Sequence, residues 1–123
     1  GWVPHYMYRM DHAYKRHRYW LPPGQELSKL PSEYFRQHIY TTFQDDWIAF
    51  KMVDHVNHER LLWANDFPHS DSTWPWSQEM LDEHAAHLTD KQAEDILCRN
   101  SADLYGIDVA TLPIGGDSLA ATV

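Results

Sequence analysis

The sequence predicts an α/β fold built on a parallel sheet. Three observations carry this expectation. Segments with helical apolar spacing alternate with two short runs of strand character, in the order helix, strand, helix, strand, helix, helix. The second strand run, Leu61-Leu62-Trp63-Ala64, is nearly unbroken in its apolar character, as in a strand covered on both faces. Two parallel strands are too few for a stable sheet, so the chain is expected to be part of a larger fold.

Taken in order, residues 3–20 read as a helix, with Pro4 in its first turn and Pro22-Pro23-Gly24 as its stop. Residues 25–37 read as a connector with a short helical turn at Pro31 to Phe35. The run His38 to Phe43 is rich in β-branched and aromatic types and reads as the first strand. Asp45 or Asp46 is the expected cap of a helix from Trp47 to His58, with Ile48, Phe50 (or Lys51), Met52 and Val56 turned inward. After the second strand comes a loop from Asn65 to Thr73. A helix follows from Trp74-Pro75 to about Ala86, with Ser72 or Thr73 as its cap. Thr89 and Gln92 form a capping-box pattern that opens the last helix, and Gly106 is its natural end. Residues 1–112 are expected to form the structured part and residues 113–123, which include Gly115-Gly116, a mobile tail. No internal repeat is visible.

The chain's 123 residues suffice for one small domain, and 43% apolar with 23% charged residues is an ordinary globular composition. A net charge of −8 argues against nucleic acid as a partner, and Lys15-Arg16-His17-Arg18 is expected to be a solvated helix face. The single cysteine, Cys98, rules out an internal disulfide and is expected to be a buried structural thiol in a reducing, cytoplasmic setting. No apolar run approaches the ~20 residues that cross a bilayer, so no membrane partner is expected. The start at Gly1-Trp2-Val3-Pro4 carries no charged signal region and no Met, the pattern of a processed or truncated piece.

The most informative stretch is Leu61 to Pro75. Here an apolar run stops at Asp66 and opens at once into a turn-rich polar loop. Strands that end in a carboxylate are how α/β barrels put a reactive group at the carboxyl end of a strand. Asp66 is therefore the main candidate: an anionic carboxylate binds a divalent cation and accepts a proton from metal-bound water. Its alternative role is that of a turn-forming acid. His69, three residues on, is a candidate to line the pocket or to bond a substrate carboxylate, with an ordinary loop histidine as the alternative. Phe67, Ser70 and Trp74 are candidate pocket residues. Ser70, Asp71 and Ser72 are expected to hold the loop through local backbone bonds. Trp74 and Trp76 are expected to bury against the scaffold. His55, His58 and Glu59 have helical spacing that suits zinc, yet a solvated face is the expected outcome.

These residues carry a resemblance. LPSEYFRQHIYTTFQDD, LLWANDFPHSDSTWPWSQEML and LCRNSADLYGI resemble the C-terminal part of the amidohydrolase-related enzymes, including the aminocarboxymuconate-semialdehyde decarboxylase group. The W-x-x-D-[FY]-P-H segment is the most specific part. The resemblance implies a (β/α)8 TIM barrel, with HIYTTF as the seventh strand and LLWAND as the eighth. It implies a divalent metal, zinc or manganese, bound in part by Asp66. It also implies hydrolysis or non-oxidative decarboxylation of a small carboxylated substrate. Position 65, often Ser or Thr in such enzymes, is Asn65 here. The family's His-x-His pair occurs nowhere in this sequence, and a full barrel needs about 250 residues. Two functions follow from this. One is an enzyme to which this chain brings Asp66. The other is an inactive barrel piece that acts as a homo-oligomer or by docking with a complementary fragment, because open strand edges invite pairing.

Overall fold

The structure, a computed structural model, describes residues 1–112. Its centre is a two-stranded parallel sheet of β1 (Thr41–Phe43) and β2 (Leu61–Trp63), with Thr41 opposite Leu61 and Phe43 opposite Trp63. The parallel arrangement agrees with the alternation in the sequence. Helix α1 (Val3–His17) packs against α2 (Pro31–His38) before β1. Helix α3 (Trp47–Lys51) and two 3-10 turns, Val53–His55 and His58–Arg60, make the crossover to β2. After β2 come α4 (Ser77–His84), α5 (Asp90–Glu94) and α6 (Asn100–Tyr105), with a π-helical turn at Asp95–Arg99 joining the last two. The expected tail, 113–123, lies outside the described residues.

The core forms where the sheet meets the crossover and the last helix. Phe50 and Ile96 are fully buried and pack with Val53 and Leu61; Phe43, Trp63 and Leu97 close over them. Phe43 meets Phe50 edge-to-face at 5.0 Å. Phe43, Leu61 and Trp63 share one face of the sheet because side chains alternate along a strand.

Several local signals act as the sequence predicts. Asp46 Oδ1 accepts from Ala49 N at 3.0 Å and caps α3. Thr89 Oγ1 accepts from Gln92 N while Gln92 Oε1 accepts from Thr89 N, closing the capping box. Gly106 ends α6 at φ 66°, a left-handed conformation that an added Cβ would oppose.

Other boundaries move, each for a tertiary reason. The first strand starts at Thr41, not His38, because α2 runs on through His38. Its first turn is anchored from α1, where Asp11 accepts from Ser32 N at 2.8 Å and from Ser32 Oγ at 2.7 Å. The helix expected from Trp47 to His58 stops at Lys51. Val53, rather than Val56, is the deeply buried valine, and Ile48 is exposed. Asn57 holds the second 3-10 turn, accepting from Glu59 N and donating to Arg36 O. That break also separates His55 from His58, so the two do not share a helix face.

Helix α4 starts at Ser77, not Trp74. Neither Ser72 nor Thr73 caps it, because Ser72 Oγ is engaged inside the loop and Thr73 Oγ1 pairs with Ser77 Oγ at 2.9 Å. Trp74 and Trp76, expected to be buried, are exposed. Cys98 is half-buried rather than fully enclosed. No helix among the described residues is long and apolar enough to cross a membrane.

Candidate functional site

Both strands end at the same edge of the sheet, and an open concavity lies there, lined by Thr42, Phe43, Gln44, Ala64 and Asp66. Ala64 N still donates to Phe43 O at 3.0 Å, so the ladder runs one residue past β2. Two residues later Asp66 takes φ 60°. The left-handed region costs an L-residue about 1 kcal/mol, least for Asn and Asp, and persists where its surroundings fix it. Here the surroundings are a set of short bonds. Asn65 Oδ1 accepts from Phe67 N at 3.1 Å. Asn65 O accepts from Ser72 Oγ at 2.7 Å and from Thr73 N at 3.1 Å. Asp66 O accepts from His69 N at 2.9 Å. The loop is thus a closed turn pinned at both ends to Asn65.

The turn brings Asp66 and His69 together, with Oδ2 3.2 Å from Nδ1. Asp71 N also points at Nδ1, from 3.4 Å. The two contacts need opposite roles, since the carboxylate wants an N–H and the amide wants a lone pair. A contact with an anion outweighs a long neutral one. We therefore assign the proton to Nδ1, which leaves Nε2 of His69 with a free lone pair. Both side chains are more than half exposed, so the pair can reach a ligand from solvent.

Gln44 is the residue that sequence reading missed. It leaves the end of β1 and donates through Nε2 to Asp71 O at 3.1 Å, while its own carbonyl accepts from Trp63 Nε1 at 3.1 Å. It ties both strand ends to the loop that carries Asp66. A Gln directly after a strand carries no local signal for such a role. Phe67 and Trp74 form an exposed edge-to-face pair at 6.1 Å beside the turn, and Ser70 is exposed. None of these three lines the concavity that Asp66 borders.

One group among the described residues has metal-ligand spacing: His58, Glu59 and Asp95. It lies at the start of β2, the end opposite Asp66. The buried Asp95 carboxylate accepts from Lys91 Nζ, and His58 Nε2 stands 3.1 Å from the same oxygen. The Lys91 ammonium holds the Asp95 carboxyl below its usual range against the opposing effect of burial, with His58 adding to the lowering. A resident cation already serves this carboxylate, so the group is a structural ion cluster. Asp66 and His69 offer one oxygen and one nitrogen, a donor set that suits zinc or manganese. Two donors do not complete a protein metal site, which takes three or four. The residues fit a metal as part of its shell, with further ligands from outside these two side chains.

A parallel β-α-β unit with an acid at the strand's carboxyl end defines a piece of the α/β class. Residues 1–107 match the amidohydrolase family, and the chain belongs to it. Among solved structures, 2,6-dihydroxybenzoate decarboxylase complexed with 2,6-dihydroxybenzoate is similar at 16% identity and a TM-score of 0.52. The match covers 85% of this chain and 31% of that one, so the chain spans about a third of that enzyme's length. No curated protein matches.

Proposed function

We propose that the chain supplies the closing part of a (β/α)8 barrel, with β1 as the seventh strand and β2 as the eighth. In this reading Asp66 is a ligand to a divalent metal, zinc or manganese, in a hydrolase or non-oxidative decarboxylase of small carboxylated substrates. The observation that carries it is the placement of Asp66, at the carboxyl end of β2, on the rim of the open concavity and beside His69. Strand ends of this kind hold the reacting groups of α/β barrels. The decarboxylase of similar fold and the family membership support the reaction class.

Asp66 would hold the metal through Oδ1, while Oδ2 accepts from His69 Nδ1. His69, oriented by Asp66 through Nδ1, presents the Nε2 lone pair to accept a proton, and once protonated there it donates to a substrate carboxylate. Phe67 and Trp74 give an aromatic wall on the loop. A bound metal would supply an acidified water or a polarised carboxyl oxygen. The remaining ligands come from elsewhere in the barrel, since no His-x-His pair is present in this sequence.

Manganese titrated into the chain while nuclear magnetic resonance lines are recorded tests the metal role. Paramagnetic broadening centred on Asp66 and His69, and lost in Asp66→Asn, is expected. Broadening centred on His58 and Asp95 instead would remove Asp66 from the role. In a complete barrel containing this segment, Asp66→Asn is expected to lower turnover by at least about a hundredfold.

A second reading is a catalytically silent barrel piece that acts by association. The open sheet edges and the exposed Trp2, Trp20 and Trp76 favour it. Manganese that binds nowhere near Asp66, together with concentration-dependent association, is the result it predicts.

A further inference from the structure

The charge of this chain is unevenly divided. Residues 1–40 hold six Lys and Arg against three Asp and Glu, while residues 41–112 hold four against fourteen. Two helices carry part of this imbalance with opposite sign. On α1, Arg9 and Arg16 are two turns apart on one face, and Trp20, 80% exposed, lies in the 3-10 turn just past the helix end. On α4, Glu79 and Glu83 share a face with Trp76, which stands three residues ahead and is 68% exposed. All four charged side chains are exposed, and among the described residues none of them forms an ion pair. Each helix thus carries a stripe of two like charges on one face with an exposed indole near its end, that of Trp20 resting on His17 at 4.8 Å.

We propose that the α1 stripe of one chain docks on the α4 stripe of a second copy. The two stripes are complementary in sign, and each ends in the kind of residue that anchors interfaces, Trp or Arg. A two-fold pair makes the same α1–α4 contact twice, so both stripes of both copies are satisfied without an open chain. The second copy is favoured over a nucleic acid as the occupant because the acidic remainder of the molecule repels a phosphate backbone. This inference is independent of the metal reading, since neither stripe touches Asp66 or His69.

Sedimentation equilibrium on the chain tests it. Self-association is expected, with an association constant falling at least about tenfold between roughly 50 and 300 mM salt, as for a charge-driven contact. Arg9→Glu/Arg16→Glu and Glu79→Lys/Glu83→Lys are each expected to be monomeric with unchanged circular dichroism. A pair of like reversed chains satisfies neither contact, because both stripes then carry the same sign. Mixed one-to-one, they are expected to recover a hetero-pair, in which one contact sets the two reversed stripes against each other and the other keeps both native stripes. A monomeric parent chain, association indifferent to salt, or no recovery on mixing overturns the proposal. Tight binding of a short DNA duplex by a parent chain that stays monomeric also overturns it.

Discussion

Asn100 gives the sharpest test of how this fold positions its site. It lies at the start of α6, just after the π turn, and is buried. Its Nδ2 donates to His58 O at 2.7 Å and to Leu61 O at 2.9 Å. One amide thus holds both sides of the turn that feeds β2. Asp66 lies five residues beyond Leu61, at most about 16 Å along extended chain. Asn100→Ala removes both donors, so Leu61 O loses its side-chain partner and His58 O keeps only the Leu61 N–H of its own turn. At about 0.5–1.5 kcal/mol for each hydrogen bond lost, the cost is about 1–3 kcal/mol. That is a large part of the 5–15 kcal/mol typical of a domain. Urea unfolding followed by circular dichroism is expected to show a midpoint lower by roughly 1–2 M.

Asn100→Asp sharpens the test further. The carboxylate has the amide's shape but sets an acceptor against two acceptors. The folded state then favours the protonated acid, so the carboxyl titrates above its unfolded value of about 3.9. The protonated form's advantage is fully present below that value and is lost as pH rises through the folded one. The variant is therefore expected to gain stability, relative to the parent, as pH falls from 7 towards 4. Loss of less than about 0.5 kcal/mol in Asn100→Ala, the scatter of ordinary surface changes, would refute the reasoning. So would a pH profile of Asn100→Asp parallel to that of the parent.

Three further outcomes are expected. Asp11→Ala frees Ser32 N and Oγ, and is expected to cost about 1.5–3 kcal/mol in urea unfolding, with Asp11→Asn intermediate because it keeps one acceptor. Phe50→Ala empties the centre of the core, and a loss of about 3–5 kcal/mol is expected in the same assay. Asp95 has a folded carboxyl held low by Lys91, so its contribution is present above the unfolded value and disappears as pH falls through the folded one. Below about pH 4 the parent is therefore expected to lose stability that Asp95→Asn does not lose, as read from thermal unfolding at stepped pH.

Much of the architecture was legible in the chain itself. Near-neighbour preferences narrowed the α3 cap to Asp45 or Asp46 and picked out the cap at Thr89 and the stop at Gly106. Each of these depends on atoms within four residues, and so does the apolar run that makes β2 a strand. Segments whose limits depend on distant partners were not legible. Helix α2 runs three residues past its sequence signal, to His38, and is held at its first turn by Asp11 from another helix. Helix α3 fell short because the crossover must bury Val53 and return the chain to β2. The candidate site divides in the same way. Asp66 and His69 were readable, because a carboxylate after an apolar strand and a histidine three residues later sit in one turn. Gln44 was not, because its role rests on Asp71 and Trp63, brought to it by strand pairing.

By itself, the sequence determined the class of fold, the order of elements and the acid at the end of β2, since periodicity and local hydrogen bonding act over a few residues. Only the tertiary structure decided where helices give way to 3-10 turns. It decided that His58 answers to Asp95 rather than to His55, and that Trp74 and Trp76 face outward. The physical reason is common to all three. Burial and long-range hydrogen bonds outweigh local preference by several kcal/mol wherever they meet, and a linear chain does not display which distant groups will meet.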